Sequence, residues 1–244
     1  MESKFRIGAD GLWYERNDLA WRMNEYDEYG VEQAVQLKEQ TGADLTVLCV
    51  GPDQVKETMK KALAMGCDRG VHIVDNNSQL KDPFEIASMI AEYAGDKEFD
   101  LIFTGMQSQD RGSAQVGVMV AELLSLPAVT TIVDFAFSGG KITVKRELEG
   151  GVKARIETTL PALVTCQLGL NTPRYPTLPN IMKARKKELL TIAAGDLRQA
   201  GALQETVKIE FPLKKIGGLF LEGEVASIAD RLIRILKEKT AVLA

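Results

Sequence analysis

The residues of this chain that are best suited to bind a charged ligand lie in a polar loop, Gly105–Gly112, which reads GMQSQDRG. The apolar run Phe99–Thr104 precedes the loop, and helical spacing over Ala114–Leu124 follows it, which places the loop at the carboxyl end of a buried strand. Gly112 lets a phosphate approach the backbone closely, and the N–H groups of Ser113–Gln115 would point at it. The pattern alone leaves open a nucleotide phosphate site and an ordinary strand–helix connection.

Two side chains of this junction carry the same ambiguity. Ser113 could cap the helix or donate to a phosphate oxygen, and Asp110 could bind a ribose hydroxyl or merely cap the turn. The chain contains neither a G-x-x-x-x-G-K-[ST] loop nor a G-x-G-x-x-G fingerprint. Neither of the two common nucleotide-binding motifs therefore supports the site.

Other chemistries find little support in the sequence. Cys49, Cys67 and Cys166 are far apart and form no C-x-x-C pair, which disfavours iron–sulfur and structural zinc sites. His72 is the only histidine and lies in a strand-like run, which argues against Ser-His-Asp catalysis and excludes a histidine-rich metal site. If the chain handles electrons, an organic cofactor must carry them.

Composition narrows the class of protein further. The chain has 244 residues, a hydrophobic fraction of 45% and a formal net charge of −4, without the basic excess of a nucleic-acid binder. No apolar run approaches the length of a membrane span, so we expect no membrane insertion. The first residues, MESKFRIGADG, lack the apolar region of a secretory signal. We expect a cytoplasmic protein.

The predicted elements alternate between strand and helix in the first half of the chain. This order predicts an α/β fold with a mostly parallel, Rossmann-like sheet that is covered by helices on both faces. Predicted strands are 45–50, 71–74 and 99–104, and predicted helices are 27–40, 53–65, 83–94 and 114–124.

After Pro127 the pattern changes to strands separated by glycine turns, which predicts an added antiparallel region. These strands are 129–137, 141–147, 152–158 and 162–167. From Glu188 onward the chain thins into an arm, and residues 222–239 show the apolar spacing of an amphipathic helix. We therefore expect a nucleotide-binding domain over residues 1–188 and a C-terminal arm over residues 189–244.

A proline-rich segment, Leu168–Lys187, separates these two parts. Its three prolines, Pro173, Pro176 and Pro179, fix φ and remove donors, so we expect an ordered surface loop that neither a helix nor a central strand passes through. An apolar side chain on such a stiffened loop, Leu178, suits a docking contact with a protein partner. The alternative is a connection that packs on its own domain.

Four segments in the same order resemble proteins of the electron transfer flavoprotein beta-subunit family. They are MNEYDEYGVEQA (23–34), VGPDQVKETMKKALAMGCDR (50–69), TGMQSQDRGSAQVG (104–117) and NTPRYPTLPNIMKARKK (171–187). The resemblance implies a heterodimer with an alpha subunit that holds FAD, and docking onto acyl-CoA dehydrogenase or a similar flavoenzyme. In this chain it implies a site for AMP or for a second FAD.

The resemblance also implies functional residues, carried over position by position. The implied nucleotide-binding residues are Asn24, Glu25, Tyr26, Asp27, Val50, Asp110, Arg111, Gly112, Ser113, Ala114, Gln115, Val116, Gly117, Val118, Met119, Val120 and Ala121. The implied partner-docking residues are Leu178, Pro179, Asn180, Ile181 and Met182 for the dehydrogenase, with Arg146 and Glu147 near the alpha subunit. A cross-strand charge pair is the alternative interpretation of Arg146 and Glu147.

The chain departs from the family pattern in two places. AMP-binding members read D-D-D-x-N-Q-T-G-Q where this chain reads DRGSAQVGV (110–118), wording that is closer to members that bind a second FAD and bifurcate electrons. Arg111 adds a cation suited to another phosphate, which favours FAD over AMP, and drift of an AMP site is the alternative. The family also begins with an apolar strand that precedes the position of Met1, so we expect a truncation or a misassigned start.

The sequence therefore predicts the beta subunit of an electron transfer flavoprotein, which carries electrons through FAD between dehydrogenases and an acceptor. We do not expect an enzyme in its own right, because no nucleophile–base set is visible. The alternative is a stand-alone nucleotide-binding regulatory protein of the same fold.

Overall fold

The computed structural model describes residues 5–16, 19–198, 200–212 and 218–239. The chain divides into two compact units, Met1–Ile209 and Glu210–Ala244. In the first unit the helices are α1 (Glu25–Thr41), α2 (Lys56–Met65), α3 (Pro83–Ala94), α4 (Val116–Leu123) and α5 (Leu178–Ala184), and the second contains α6 (Val225–Lys239). The strands are β1 (Thr46–Gly51), β2 (Arg69–Val74), β3 (Leu101–Gly105), β4 (Ala128–Ser138), β5 (Lys141–Glu147), β6 (Lys153–Thr159), β7 (Ala162–Cys166) and β8 (Leu189–Ala193).

Within the described residues the strands form two open sheets. The first has the order β1-β2-β8 and is parallel throughout. The second has the order β3-β7-β4-β5-β6, in which β3, β7 and β4 are parallel, and β5 and β6 are antiparallel additions. The α/β alternation and the antiparallel region predicted from the sequence are thus confirmed.

Burial differs between the middle and the ends of these sheets. All five residues of β7 and the four central residues of β2 are buried, as expected of parallel strands covered on both faces. By contrast, β1 and β3 end their sheets and are half-buried along almost their whole length. The carboxyl end of β3, where the candidate site lies, is therefore more accessible than the strand beside it.

Two elements contradict the sequence expectations. The proline-rich segment contains a helix, α5, because Pro179 lies in its first turn, where the missing N–H is not needed, and the Thr177 hydroxyl accepts a hydrogen bond from Asn180 N (3.4 Å). The expected arm begins with a strand, since Gly70–Val74 of β2 pairs with β8 in parallel. Residues 189–193 therefore belong to the sheet.

The helix α6 begins at Val225, three residues later than predicted. None of its residues is buried, and Val225 is 82% exposed. Its apolar stripe therefore remains accessible in the chain alone.

Candidate functional site

The start of α1 and the loop after β3 are joined by hydrogen bonds, although about 80 residues separate them in the sequence. Asn24 Nδ2 donates to the Gln107 carbonyl (2.8 Å), and Gln109 N donates back to Asn24 Oδ1 (3.0 Å). Gly105 N donates to Asp27 Oδ1 (2.6 Å), and Asn24 Nδ2 also reaches Asp27 Oδ2 (2.9 Å). The two segments that the resemblance assigned to one site therefore lie together.

The Asp27 carboxyl group is buried in this junction. Burial raises the pKa of Asp27 above its ordinary value, although the hydrogen bonds from Asn24 and Gly105 act in the opposite direction. The carboxyl group is thus held between α1 and β3 by donors from both elements. Its role in the structure is to join them.

Gly105 permits this close approach, and the implied residue set did not include it. A Cβ atom at this position would lie 2.8 Å from Asp27 Oδ1 and 2.8 Å from Tyr26 Cβ. Gln107 and Gln109 were missed in the same way, although both contact α1 through the bonds described above. The signal available in the sequence was a glycine at the end of a buried strand, which often marks a place where another backbone comes near.

The helix α4 presents an open N-terminus at this junction. It begins at Val116, so Ser113 lies in the loop, and of its two possible roles the N-cap is wrong; Gln115 occupies that position without a side-chain capping bond. Gly112 and Ala114 have left-handed φ values of 62° and 54°, and a Cβ on Gly112 would meet nothing within 4 Å. First-turn N–H groups, the helix dipole and open space beside Gly112 suit an anion such as a phosphate.

Gly117 allows α4 to pack closely on the sheet. A Cβ atom there would lie 2.5 Å from Thr104 Oγ1 and 3.2 Å from Thr165 Cγ2. Thr104 Oγ1 and Gln115 Oε1 are both buried, and neither has a hydrogen-bond partner in the part of the chain that the structure describes. Two unpaired oxygens near this helix start fit a site that is completed by a ligand.

Arg111 makes contacts that the sequence did not predict. Its Nη1 donates to the Lys81 carbonyl (2.7 Å), its Nη2 donates to the Gln79 carbonyl, and the guanidinium lies over the Trp13 ring, 4.9 Å from the centroid. The side chain therefore ties the loop to the segment that precedes α3. Three of its five N–H groups are not used by these two carbonyls.

The remaining implied nucleotide residues fall into three groups. Glu25 and Tyr26 hold the loop, through Gln109 Nε2 (2.8 Å) and Gln107 Nε2 (3.3 Å) respectively. Val120 and Ala121 are buried with Ala87 and Leu163 in the core, so their side chains pack inward. The last group is partly or largely exposed and consists of Val50 near the end of β1, Asp110 in the loop, and Val118 and Met119 on α4.

The implied dehydrogenase-docking residues lie on an exposed apolar surface. Leu178 is 78% exposed, Met182 is 57% exposed, and the neighbouring Tyr175 is 90% exposed. Pro179, Asn180 and Ile181 are exposed on the same short helix. We call Tyr175, Leu178, Ile181 and Met182 the apolar docking surface.

A partly buried pair of ion pairs fixes the segment that leads into this surface. Arg174 bonds two carboxylates of α1, with Nε 2.8 Å from Glu32 Oε2 and Nη1 2.5 Å from Glu39 Oε1. Glu32 is only 3% exposed. Burial alone would raise the pKa of Glu32, but hydrogen bonds from Arg174 and Gln36 hold it below its ordinary value.

Arg146 and Glu147 lie at the end of β5. Arg146 is exposed, whereas Glu147 Oε2 accepts a hydrogen bond from Gln167 Nε2 (3.2 Å) and its carbonyl accepts one from the Thr131 hydroxyl (3.1 Å). Opposite them on β6 stand Ala154 and Lys153 in the strand register. The two residues thus differ, because Glu147 is tied to its own sheet and Arg146 faces outward.

The fold and this junction define an open α/β protein whose candidate ligand site lies at the carboxyl end of β3, where this class binds anionic ligands. No described helix is long and apolar enough to cross a lipid bilayer. The described residues also contain no cluster of three or more His, Cys, Asp or Glu side chains that could hold a metal ion.

Comparison with known proteins identifies the family. The family model described as Electron transfer flavoprotein domain matches residues 11–197. The Bacillus subtilis (strain 168) electron transfer flavoprotein subunit beta is 41% identical over 91% of this chain and 88% of its own length. The subunits beta of Mus musculus and Methylophilus methylotrophus are 37% and 31% identical, over 96% and 98% of this chain and 91% and 94% of their own lengths. The chain belongs to the electron transfer flavoprotein family, as its sequence motifs indicated.

Proposed function

We propose that this chain is the beta subunit of a heterodimeric electron transfer flavoprotein in the cytoplasm. In this proposal it holds an adenine nucleotide at the loop between β3 and α4 and presents a docking surface to a dehydrogenase. The flavin that carries the electrons sits in the alpha subunit, so this chain is an electron carrier subunit and performs no catalysis alone. Similarity to proteins named subunit beta over more than nine-tenths of the chain supports the role.

The observation that carries the nucleotide site is the meeting of the α1 start with the loop beside an uncapped helix. Hydrogen bonds of Asn24 and Asp27 hold the loop backbone in place, the start of α4 has no side-chain cap, and there is open space beside Gly112. A phosphate there would gain backbone donors and the positive end of the helix dipole. The ligand supplies no chemistry in this account other than its own charge and shape.

The identity of the nucleotide, AMP or a second FAD, depends on the space and charge around a second phosphate. In the sequence, Arg111 favours FAD because it adds a cation suited to a second phosphate. In the structure its guanidinium already serves two backbone carbonyls and Trp13, so its charge does not by itself favour a diphosphate. We therefore propose an adenine nucleotide and leave the choice to direct measurement of the bound molecule.

The apolar docking surface supports contact with a dehydrogenase of the acyl-CoA type. Exposed tyrosine and methionine side chains are enriched at protein interfaces, and a rigid backbone support lowers the cost of ordering the surface on association. The ion pairs of Arg174 with α1 supply that rigidity. This surface is remote in sequence from the nucleotide loop, so the two functions can be tested separately.

Contacts with the alpha subunit are proposed for two further regions. Arg146 presents an exposed charge at the end of β5, and α6 presents an apolar stripe. Burial of such a stripe at an interface stabilises a complex by about 25 cal/mol per Å² of apolar area. The large interface expected of an obligate heterodimer would include both Arg146 and α6.

Co-expression with the alpha subunit tests the proposed role. We expect a single heterodimer on size exclusion that shows flavin absorbance, and loss of this species when residues 219–244 are deleted. A control substitution in the first unit, Gly195→Ala, should leave the heterodimer intact. A chain that stays monomeric and binds a nucleotide without flavin would instead support the stand-alone regulatory protein.

A further inference from the structure

Asp82 uses its two carboxylate oxygens for two different purposes. Oδ1 accepts a hydrogen bond from Glu85 N (2.8 Å) and caps α3, and the Glu85 carboxylate reciprocates with Asp82 N (3.0 Å). Oδ2 accepts from Leu203 N (2.6 Å) and Gln204 N (2.9 Å), about 120 residues further along the chain. Only the first pair of bonds is explained by helix capping.

The bonds to Oδ2 hold a segment that has little other apolar support. Residues 200–212 contain no helix or strand. Leu203 is 69% exposed and Val207 is 85% exposed, so apolar burial contributes little there. Polar contacts such as those with Asp82 therefore carry a large share of what positions the segment, and this segment leads into the second unit.

Arg111 links this anchor to the candidate nucleotide loop. Its guanidinium donates to the carbonyls of Gln79 and Lys81, and Lys81 is the residue directly before Asp82. A small cavity of about 80 Å³ is lined by Arg111, Asp82 and Gln204, among others, so the three residues lie around one space. A continuous set of contacts thus runs from the loop, through the segment before α3, to residues 203–204.

We infer that Asp82 anchors residues 203–204 to the start of α3 and that Arg111 couples this anchor to nucleotide binding. The coupling rests on the nucleotide site of the proposed function; the anchor does not. A bound phosphate orders the loop that carries Arg111. The ordered Arg111 side chain holds the Gln79 and Lys81 carbonyls, and this restricts the movement of Asp82. By reciprocity the anchored segment favours the ordered loop, so each of the two events strengthens the other.

The anchor can be separated from the cap by substitution. Asp82→Ser keeps an oxygen that accepts from Glu85 N, and serine is as good an N-cap as aspartate, but its single hydroxyl is too short to hold residues 203–204 as well. Glu85→Gln is the matched control, because it perturbs the same capping box without touching the segment. Arg111→Lys keeps the positive charge but cannot span the two carbonyls.

Amide hydrogen exchange of the full chain, resolved at single residues, measures the anchor. We expect exchange at Leu203 and Gln204 to accelerate about tenfold or more in Asp82→Ser and to change less than about twofold in Glu85→Gln. Equal exchange at these two amides in Asp82→Ser and in the unsubstituted chain would overturn the anchor. This outcome does not depend on whether a nucleotide binds.

Saturating AMP then tests the coupling. In the unsubstituted chain, AMP should slow exchange at Leu203 and Gln204 about fivefold, and Asp82→Ser should weaken AMP binding by at most the same factor. Arg111→Lys should remove most of the protection at the concentration that saturates it. AMP that binds without slowing exchange, or full protection in Arg111→Lys, would overturn the coupling. Failure of the unsubstituted chain to bind AMP or FAD would reject the proposed nucleotide site and the coupling together. The anchor would still be tested by amide exchange at Leu203 and Gln204 in Asp82→Ser.

Discussion

Replacing Gly105 by alanine should separate the start of α1 from the end of β3. The added methyl group would lie 2.8 Å from both Asp27 Oδ1 and Tyr26 Cβ and 3.0 Å from Asp27 N, where no rotamer change can relieve the contact with backbone. Overpacking of this kind costs about 1–3 kcal/mol. The hydrogen bond from Gly105 N to Asp27 Oδ1 is then strained or lost, at about 1 kcal/mol more. We expect a total of about 2–4 kcal/mol, or a fall of about 5–15 °C in Tm for a domain of this size.

A matched control is available in the same unit. Gly195→Ala makes the same chemical change where a Cβ atom meets nothing within 4 Å, and its effect should stay within about 1 kcal/mol. Urea unfolding of both variants gives the free energies, and nucleotide titration shows whether the loop is displaced. Equal stability of the two variants would refute the reasoning, because it would mean that α1 does not rest against β3 at this point.

Three further predictions concern the rest of the molecule. Leu178→Ala should weaken docking of the dehydrogenase by about 1–3 kcal/mol with unchanged nucleotide content, whereas Leu123→Ala, at another exposed leucine, should not; equal transfer kinetics in both would remove Leu178 from the docking surface. Against the effect of burial, the hydrogen bonds of Arg174 lower the pKa of Glu32. The difference in free energy of unfolding between the unsubstituted chain and Arg174→Gln should therefore have its full size above about pH 4.3 and should disappear as the pH falls through the lowered pKa. A difference that grows in acid would contradict this. Burial, with the Asp27 charge second, raises the pKa of Cys49 to about 12, so its alkylation at pH 8 should be far slower than in the unfolded chain, and rapid labelling of the native protein would show that the thiol is accessible.

The alternation of strands and helices could be predicted because buried parallel strands appear as short apolar runs between helical patterns. Two elements were missed. The three prolines of the segment argue against a helix, but Thr177 followed by a proline in the first turn is a helix-start signal, and this signal was available for α5. The strand β8 is half-exposed and pairs with β2, more than 110 residues earlier, so its identity depends on a long-range contact that no local pattern records.

The position of the candidate site could be predicted from the sequence, but its packing contacts could not. Its position after β3 followed from the strand–helix junction, and family resemblance joined it to residues 24–27. The role of Gly105 depends on how closely α1 approaches, and the partners of Arg111 lie about 30 residues away in sequence. Both are consequences of tertiary packing, and a single sequence does not contain that information.

Counting the nucleotides of the purified heterodimer addresses the proposed function itself. After denaturation, the account predicts one FAD and one further adenine nucleotide per heterodimer, with AMP identifying a conventional carrier and a second FAD identifying the bifurcating type. Gly112→Val, which places a β-branched side chain at a φ of 62°, should abolish the second nucleotide and leave the first. A heterodimer that releases a single FAD and nothing else, or a second nucleotide that survives Gly112→Val undiminished, would contradict a nucleotide site at this loop.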